Sequence, residues 1–151
     1  MRKLLSVLML ITVMVLVGCS KFPDGYPLMN VIYDGKSFET TVNGATWINS
    51  SNGGSSADLG DWDIEVAKDI KPILVKAESV LELKLSQTKD ISSFKVMLVE
   101  GSNKDSQKLT EINTKQYKFT APKQKGEYIY SVKAGWDEKH GVGYVFKITV
   151  D

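Results

Sequence analysis

Two runs near the carboxyl end constrain this chain more than anything else in it. Tyr128, Tyr130, Val132, Ala134 and Trp136 fall at every second position, and Tyr144, Phe146, Ile148 and Val150 repeat the pattern. A period of two places each set on one face of an extended strand, because successive side chains point to opposite faces. Residues 137–141 join the runs and read as a five-residue hairpin loop. A chain that carries such a pair must build a sheet around it.

The upstream sequence supplies partners in the same vocabulary. Leu81, Leu83 and Leu85 alternate with Glu82 and Lys84, and Phe94, Val96 and Leu98 share one side of residues 91–99. Shorter strand candidates are residues 29–33, 36–42, 45–49, 70–75, 109–112 and 117–120. Asp34-Gly35 and Asn43-Gly44 read as hairpin turns. Pro72 donates no backbone hydrogen bond and so demotes its strand to an edge or a strand start. Residues 50–60, rich in serine, glycine and asparagine, read as a surface loop. Residues 63–68 fit one helical turn or an irregular connection ahead of Pro72, although Trp62, Ile64 and Val66 also alternate as in a strand. Eight or nine short strands without a long helical pattern predict an all-β fold of two packed antiparallel sheets over residues 29–151.

The amino end has a different character. Arg2 and Lys3 precede residues 4–17, a 14-residue apolar stretch broken only by Ser6 and Thr12. That is short for a membrane span and right for the core of a signal peptide. Leu16-Val17-Gly18-Cys19 comes next, and it resembles the lipobox of bacterial lipoproteins. The resemblance implies removal of residues 1–18, lipidation of Cys19, and a protein held to the extracytoplasmic face of the cell membrane by its lipid. Residues 19–28 then read as the lipidated cysteine and a short tether. Fully extended, residues 20–27 reach about 25–30 Å at roughly 3.3–3.6 Å per residue.

Composition narrows the functional classes. Cys19 is the only cysteine, so the lipidated domain has neither a disulfide nor a thiolate to offer for catalysis or metal binding. Losing Arg2 and Lys3 turns the formal charge from +1 to −1, and no basic cluster remains to neutralise nucleic-acid phosphates. The domain is expected to be monomeric and to need no cofactor. No catalytic centre is read either. His140, the single histidine, is expected as an exposed loop residue, and no Gly-x-Ser-x-Gly elbow stands anywhere to use it. An envelope hydrolase would require His140 or a carboxylate pair set about 5–10 Å apart across a cleft.

Asp58, Asp61, Asp63 and Glu65 lie within eight residues, beside the serine- and glycine-rich segment. Loop oxygens of this kind suit calcium, although the spacing is not that of an EF-hand. With Trp62 among them, the same residues are the candidate site for an ion or a glycan. The structural alternative is a solvated acidic turn. Trp136 is expected in the core, whereas burial and exposure remain open for Trp62.

The carboxyl-terminal strands also carry a family resemblance. Residues 125–136 and 143–148 resemble the ending of small uncharacterised lipoproteins of Bacillus and related Firmicutes, in a G-x-Y-x-Y-x-V-x-A-x-W strand followed by Y-x-F-x-I/V. Thr46-Trp47 and residues 69–72 fit that pattern too. The resemblance implies an extracellular immunoglobulin-like β-sandwich and supplies no catalytic residues. Such relatives often carry a cysteine soon after the first tryptophan; this chain has Ile48 and Asn49 there. Anchor, strand pattern and missing reactive centre together predict a lipid-anchored, non-catalytic interaction module whose partner is an envelope protein, peptide or glycan.

Overall fold

The computed structural model describes Phe22 and residues 25–49 and 60–151, with residues 54–58 and Asn49 described as backbone only. Residues 1–18, expected as a signal peptide, and Cys19 lie outside the described residues. Eleven strands occur among the described residues, in two sheets. The smaller sheet has the order β2 (Lys36–Glu39), β1 (Met29–Tyr33), β6 (Val80–Leu85), β9 (Lys118–Thr120). The larger runs β4 (Gly54–Asp58), β3 (Thr41–Asn49), β11 (His140–Val150), β10 (Gly126–Asp137), β7 (Ser93–Glu100), β8 (Lys108–Ile112).

The alternating runs do what their period demands. Tyr130, Val132, Ala134 and Trp136 from β10 and Val142, Tyr144, Phe146, Ile148 and Val150 from β11 are buried in one cluster with Val31, Leu81, Leu83 and Phe119 of the smaller sheet. The two sheets therefore share a core. Aromatic rings knit it: Tyr130 stacks on Phe146 at 5.2 Å, and Trp47 meets Trp136 edge-on at 5.3 Å. The Tyr144 hydroxyl donates to the Pro27 carbonyl at 2.6 Å, a buried bond that ties the entering chain to the core. Burial pushes the phenols of Tyr130 and Tyr144 up, because the phenolate would lose its water.

Four local expectations are corrected. Asn43-Gly44 is not a turn. β3 passes straight through it, and the pairing slips there: Val142 faces Ala45 while Tyr144 faces Val42, so β3 carries one extra residue. Gly44 takes up the resulting bulge at φ +84, a backbone state open to glycine. The residues 50–60, expected as loop, contain β4, paired with β3 from Ala45↔Asp58 to Asn49↔Gly54. Backbone pairing along an open edge needs no apolar side chains, which is why composition concealed it.

The hairpin between β10 and β11 is tighter than five residues. Asp137 pairs with His140, leaving Glu138 and Lys139 as the loop. Asp137 Oδ1 accepts from Lys139 N at 2.8 Å, and these polar residues close the turn instead of forming a loop. Finally, the larger sheet is not wholly antiparallel. β5 (Ile73–Val75) lies parallel to the end of β11, with Ile148↔Ile73 and Val150↔Val75. Parallel pairing requires a crossover. It is supplied by α1 (Asp63–Val66) and the 3₁₀ turn Ala67–Asp69.

This crossover packs α1 against β7 and β10. Ile64 and Ala67 are buried there, as are Val99 and Val145, and none of the four belongs to the core between the sheets. The period of two assigns Val145 and Ser131 to the outer face of the larger sheet, opposite Tyr144 and Tyr130. The outer face of that sheet is thus covered in part, and Trp62 stands just before α1.

Candidate functional site

The bulge in β3 organises the candidate site. By swelling the strand, it pushes Asn43 toward the segment that leads into α1. Asn43 Nδ2 donates to the Asp61 carbonyl at 2.9 Å and to Asp63 Oδ1 at 2.7 Å, while its Oδ1 accepts from Asp61 N at 2.7 Å. One side chain thereby fixes residues 61–63. Gly60 lets the chain come this close: its φ is +71, and a Cβ there would stand 2.6 Å from Asn43 Oδ1 and 2.8 Å from Gly44 N. Gln107, from the far side, accepts from Ile64 N at 2.9 Å.

These anchors hold Trp62 at the mouth of a cleft of about 380 Å³, lined by Asn43, Gly60, Asp61, Trp62, Asp63, Gln107, Leu109 and Lys133. Trp62 keeps 50% of its surface exposed, whereas Trp47 and Trp136 keep 3% and 4%. Leu109 is exposed beside it, and Lys133 projects from the outer face of β10. A second depression of about 350 Å³ adjoins the first and shares Asn43 and Lys133 with it. Its floor is bare backbone, because Gly44, Gly135, Gly141 and Gly143 put no side chain on that stretch of sheet.

The side chain of Asp58 lies outside the described residues, and the other acids of the sequence motif are not gathered at one point. Asp61 and Asp63 line the cleft; Asp61 Oδ1 accepts from Trp62 N at 3.1 Å, and Asp63 is buried against Asn43. Glu65 pairs with Lys68 along α1, and Asp58 sits opposite Ala45 at the end of β4. Among the described residues no group of three or more histidine, cysteine, aspartate or glutamate side chains is placed to hold a metal ion. The cleft offers hydrogen-bonding groups and an indole face.

His140 corrects another expectation. It is 7% exposed, not a solvent-facing loop residue. Its Nδ1 lies 2.7 Å from Asp137 Oδ1, and its ring packs against Phe22 at 4.0 Å with the planes tilted by 30° and meets Trp47 edge-on at 4.8 Å. The bond from His140, with that from Lys139 N, holds the Asp137 carboxyl below its usual range. Sequence reading missed this because the parity of β11 continues inward past Val142 once the hairpin tightens. Phe22 was equally hidden within an apparent tether. Residues 25–28 do lack strand and helix, yet Phe22 and Pro27 are buried against the domain.

Sequence reading named Asp61, Trp62 and Asp63 among the cleft's residues and missed Asn43, Gln107, Leu109 and Lys133. Asn43 carried a signal, the Asn-Gly pair, that pointed to the wrong structure; the other three arrive from distant strands and loops. No protein-family model matches the chain, and comparison with curated proteins finds no similar sequence.

Proposed function

We propose that the protein is a lipid-anchored, non-catalytic binding module on the extracytoplasmic face of the cell membrane, and that it holds an envelope glycan in the Trp62 cleft. The observation that carries this reading is Trp62 itself. It presents half its surface at the mouth of a cleft walled by amide, carboxylate and ammonium groups, while the other two tryptophans are buried. An indole face receives the C–H face of a pyranose ring, and Asp61, Gln107 and Lys133 are placed around it to meet ring hydroxyls. A few convergent polar groups around an apolar contact are what orients a small ligand. The adjoining glycine-floored depression gives room for a second sugar.

The anchor rests on the residues 1–19, with their basic start, 14-residue apolar core and Cys19. Cleavage before Cys19 divides the chain into signal peptide, lipidated tether and domain. The resemblance to Firmicutes lipoproteins supports an immunoglobulin-like sandwich, as does a four-stranded sheet facing a larger one around a buried tryptophan. Strand addition by a peptide is favoured less. Of the edge strands, β2, β8 and β9 carry Lys36 and Glu39, Lys108 and Glu111, and Lys118, charges of the kind that discourage edge pairing.

Calorimetry with soluble cell-wall glycan fragments tests the reading. Saturable binding is expected, weakened about tenfold or more in Trp62→Ala as for a central aromatic contact. Binding that Trp62→Ala leaves intact would refute the assignment of this cleft, and palmitate labelling lost in Cys19→Ala checks the anchor separately.

A further inference from the structure

We infer that the hairpin end of the domain, Asp137 to His140, is the face that lies on the bilayer, and that Phe22 holds it there. The inference rests on the lipidation of Cys19 and adds an orientation to it. Phe22 is 7% exposed, packed on His140 at 4.0 Å and edge-on to Trp47 at 5.7 Å. Only Ser20 and Lys21 stand between it and Cys19. Three residues at roughly 3.6 Å each allow about 11 Å between the lipidated residue and a side chain locked into the domain. The headgroup layer of one leaflet is itself about 5–8 Å thick. The hairpin end therefore sits within or against that layer, and the domain has no long leash on which to turn over.

The strap beyond Phe22 is fixed as well. Pro27 takes the buried bond from Tyr144, and Leu28 exchanges hydrogen bonds with Ser86. Tyr26 and Leu28, on either side of Pro27, keep exposed side chains at the level of Tyr144. Glu138 and Lys139 at the hairpin tip are exposed and of opposite sign, a surface for headgroups and not for burial in hydrocarbon. The partner is the headgroup layer of the membrane that holds Cys19. The Trp62 cleft, about four residues up β10 at Lys133, then opens sideways roughly 13 Å from the membrane-facing end.

The test uses the full lipidated chain, purified from membranes and reconstituted into phosphatidylglycerol–phosphatidylethanolamine vesicles carrying a headgroup spin label. A fluorophore is placed at Glu138→Cys or, at the opposite end of β10, at Lys123→Cys. β10 has 12 residues. It spans roughly 36 Å at ~3.3 Å per residue, so quenching at 138 should exceed that at 123 by about threefold or more. Phe22→Ala should abolish the difference and Phe22→Trp should keep it. Equal quenching at both sites in protein that floats with the vesicles would overturn the orientation and leave the anchor standing. So would a difference that Phe22→Ala leaves unchanged. Protein that carries no lipid and does not float would overturn both.

Discussion

Asn43 and Asp63 meet side chain to side chain at 2.7 Å across the outer edge of the larger sheet, one from a bulged strand and the other from the first turn of α1. The contact binds the crossover to the sheet and sets Trp62 beside it. Asn43→Ala removes three hydrogen bonds, one of them to a buried carboxylate. A loss of about 1–3 kcal/mol is expected, measured by urea unfolding, together with faster proteolysis near residue 60. A variant as stable and as resistant as the parent would show that the crossover is held by other contacts.

Gly143 faces the same bulge. A Cβ there would strike the Asn43 carbonyl, which is backbone and has nowhere to go. At Gly135 the nearest atom is Ser93 Oγ, which can rotate away. Gly143→Ala should cost about 2 kcal/mol or more and Gly135→Ala within about 1 kcal/mol. Equal costs in thermal unfolding would argue against the bulge geometry.

Substitutions at the tryptophans should divide by burial. Trp47→Ala and Trp136→Ala are each expected to cost about 3–5 kcal/mol, whereas Trp62→Ala should fall within about 0.5 kcal/mol, the range of surface changes. Iodide should quench one component of the fluorescence, and Trp62→Phe should remove that component. Quenching that survives Trp62→Phe would place another indole at the surface.

The Asp137–His140 pair makes stability depend on pH in a definite direction. The carboxyl is lowered in the folded protein by its bond from His140. A lowered carboxyl stabilises above its unfolded value and loses that contribution as pH falls through the folded value. Asp137→Asn should therefore lower the thermal midpoint at neutral pH and have progressively less effect below the ordinary carboxylate range. A constant difference from neutral pH down to strong acid would mean the charge has no part in it.

How much was legible depends on which interactions leave a periodic trace. Tyr130, Val132, Tyr144 and Phe146 alternate because they line one core, and the pattern survives in one dimension. The bulge at Asn43 and the parallel seat of β5 depend on what lies across the sheet, and no local pattern encodes that. Asn43-Gly44 misled because a bulge and a turn both recruit a residue with φ > 0. His140 misled because a polar residue can close a hairpin and still face inward once Phe22 covers it. For the cleft, Asp61, Trp62 and Asp63 were visible as neighbours in sequence, while Gln107 and Lys133 come to them only by folding.

The most direct measurement is a ¹H–¹⁵N titration of the domain with soluble cell-wall glycan fragments, following the three indole N–H signals and the side-chain amides. A saturable shift of the Trp62 indole and of the Asn43 and Gln107 amides is expected, with Trp47 and Trp136 unmoved. Absence of any shift at saturating glycan, or shifts confined to the edges β2 and β8, would contradict glycan binding in the Trp62 cleft.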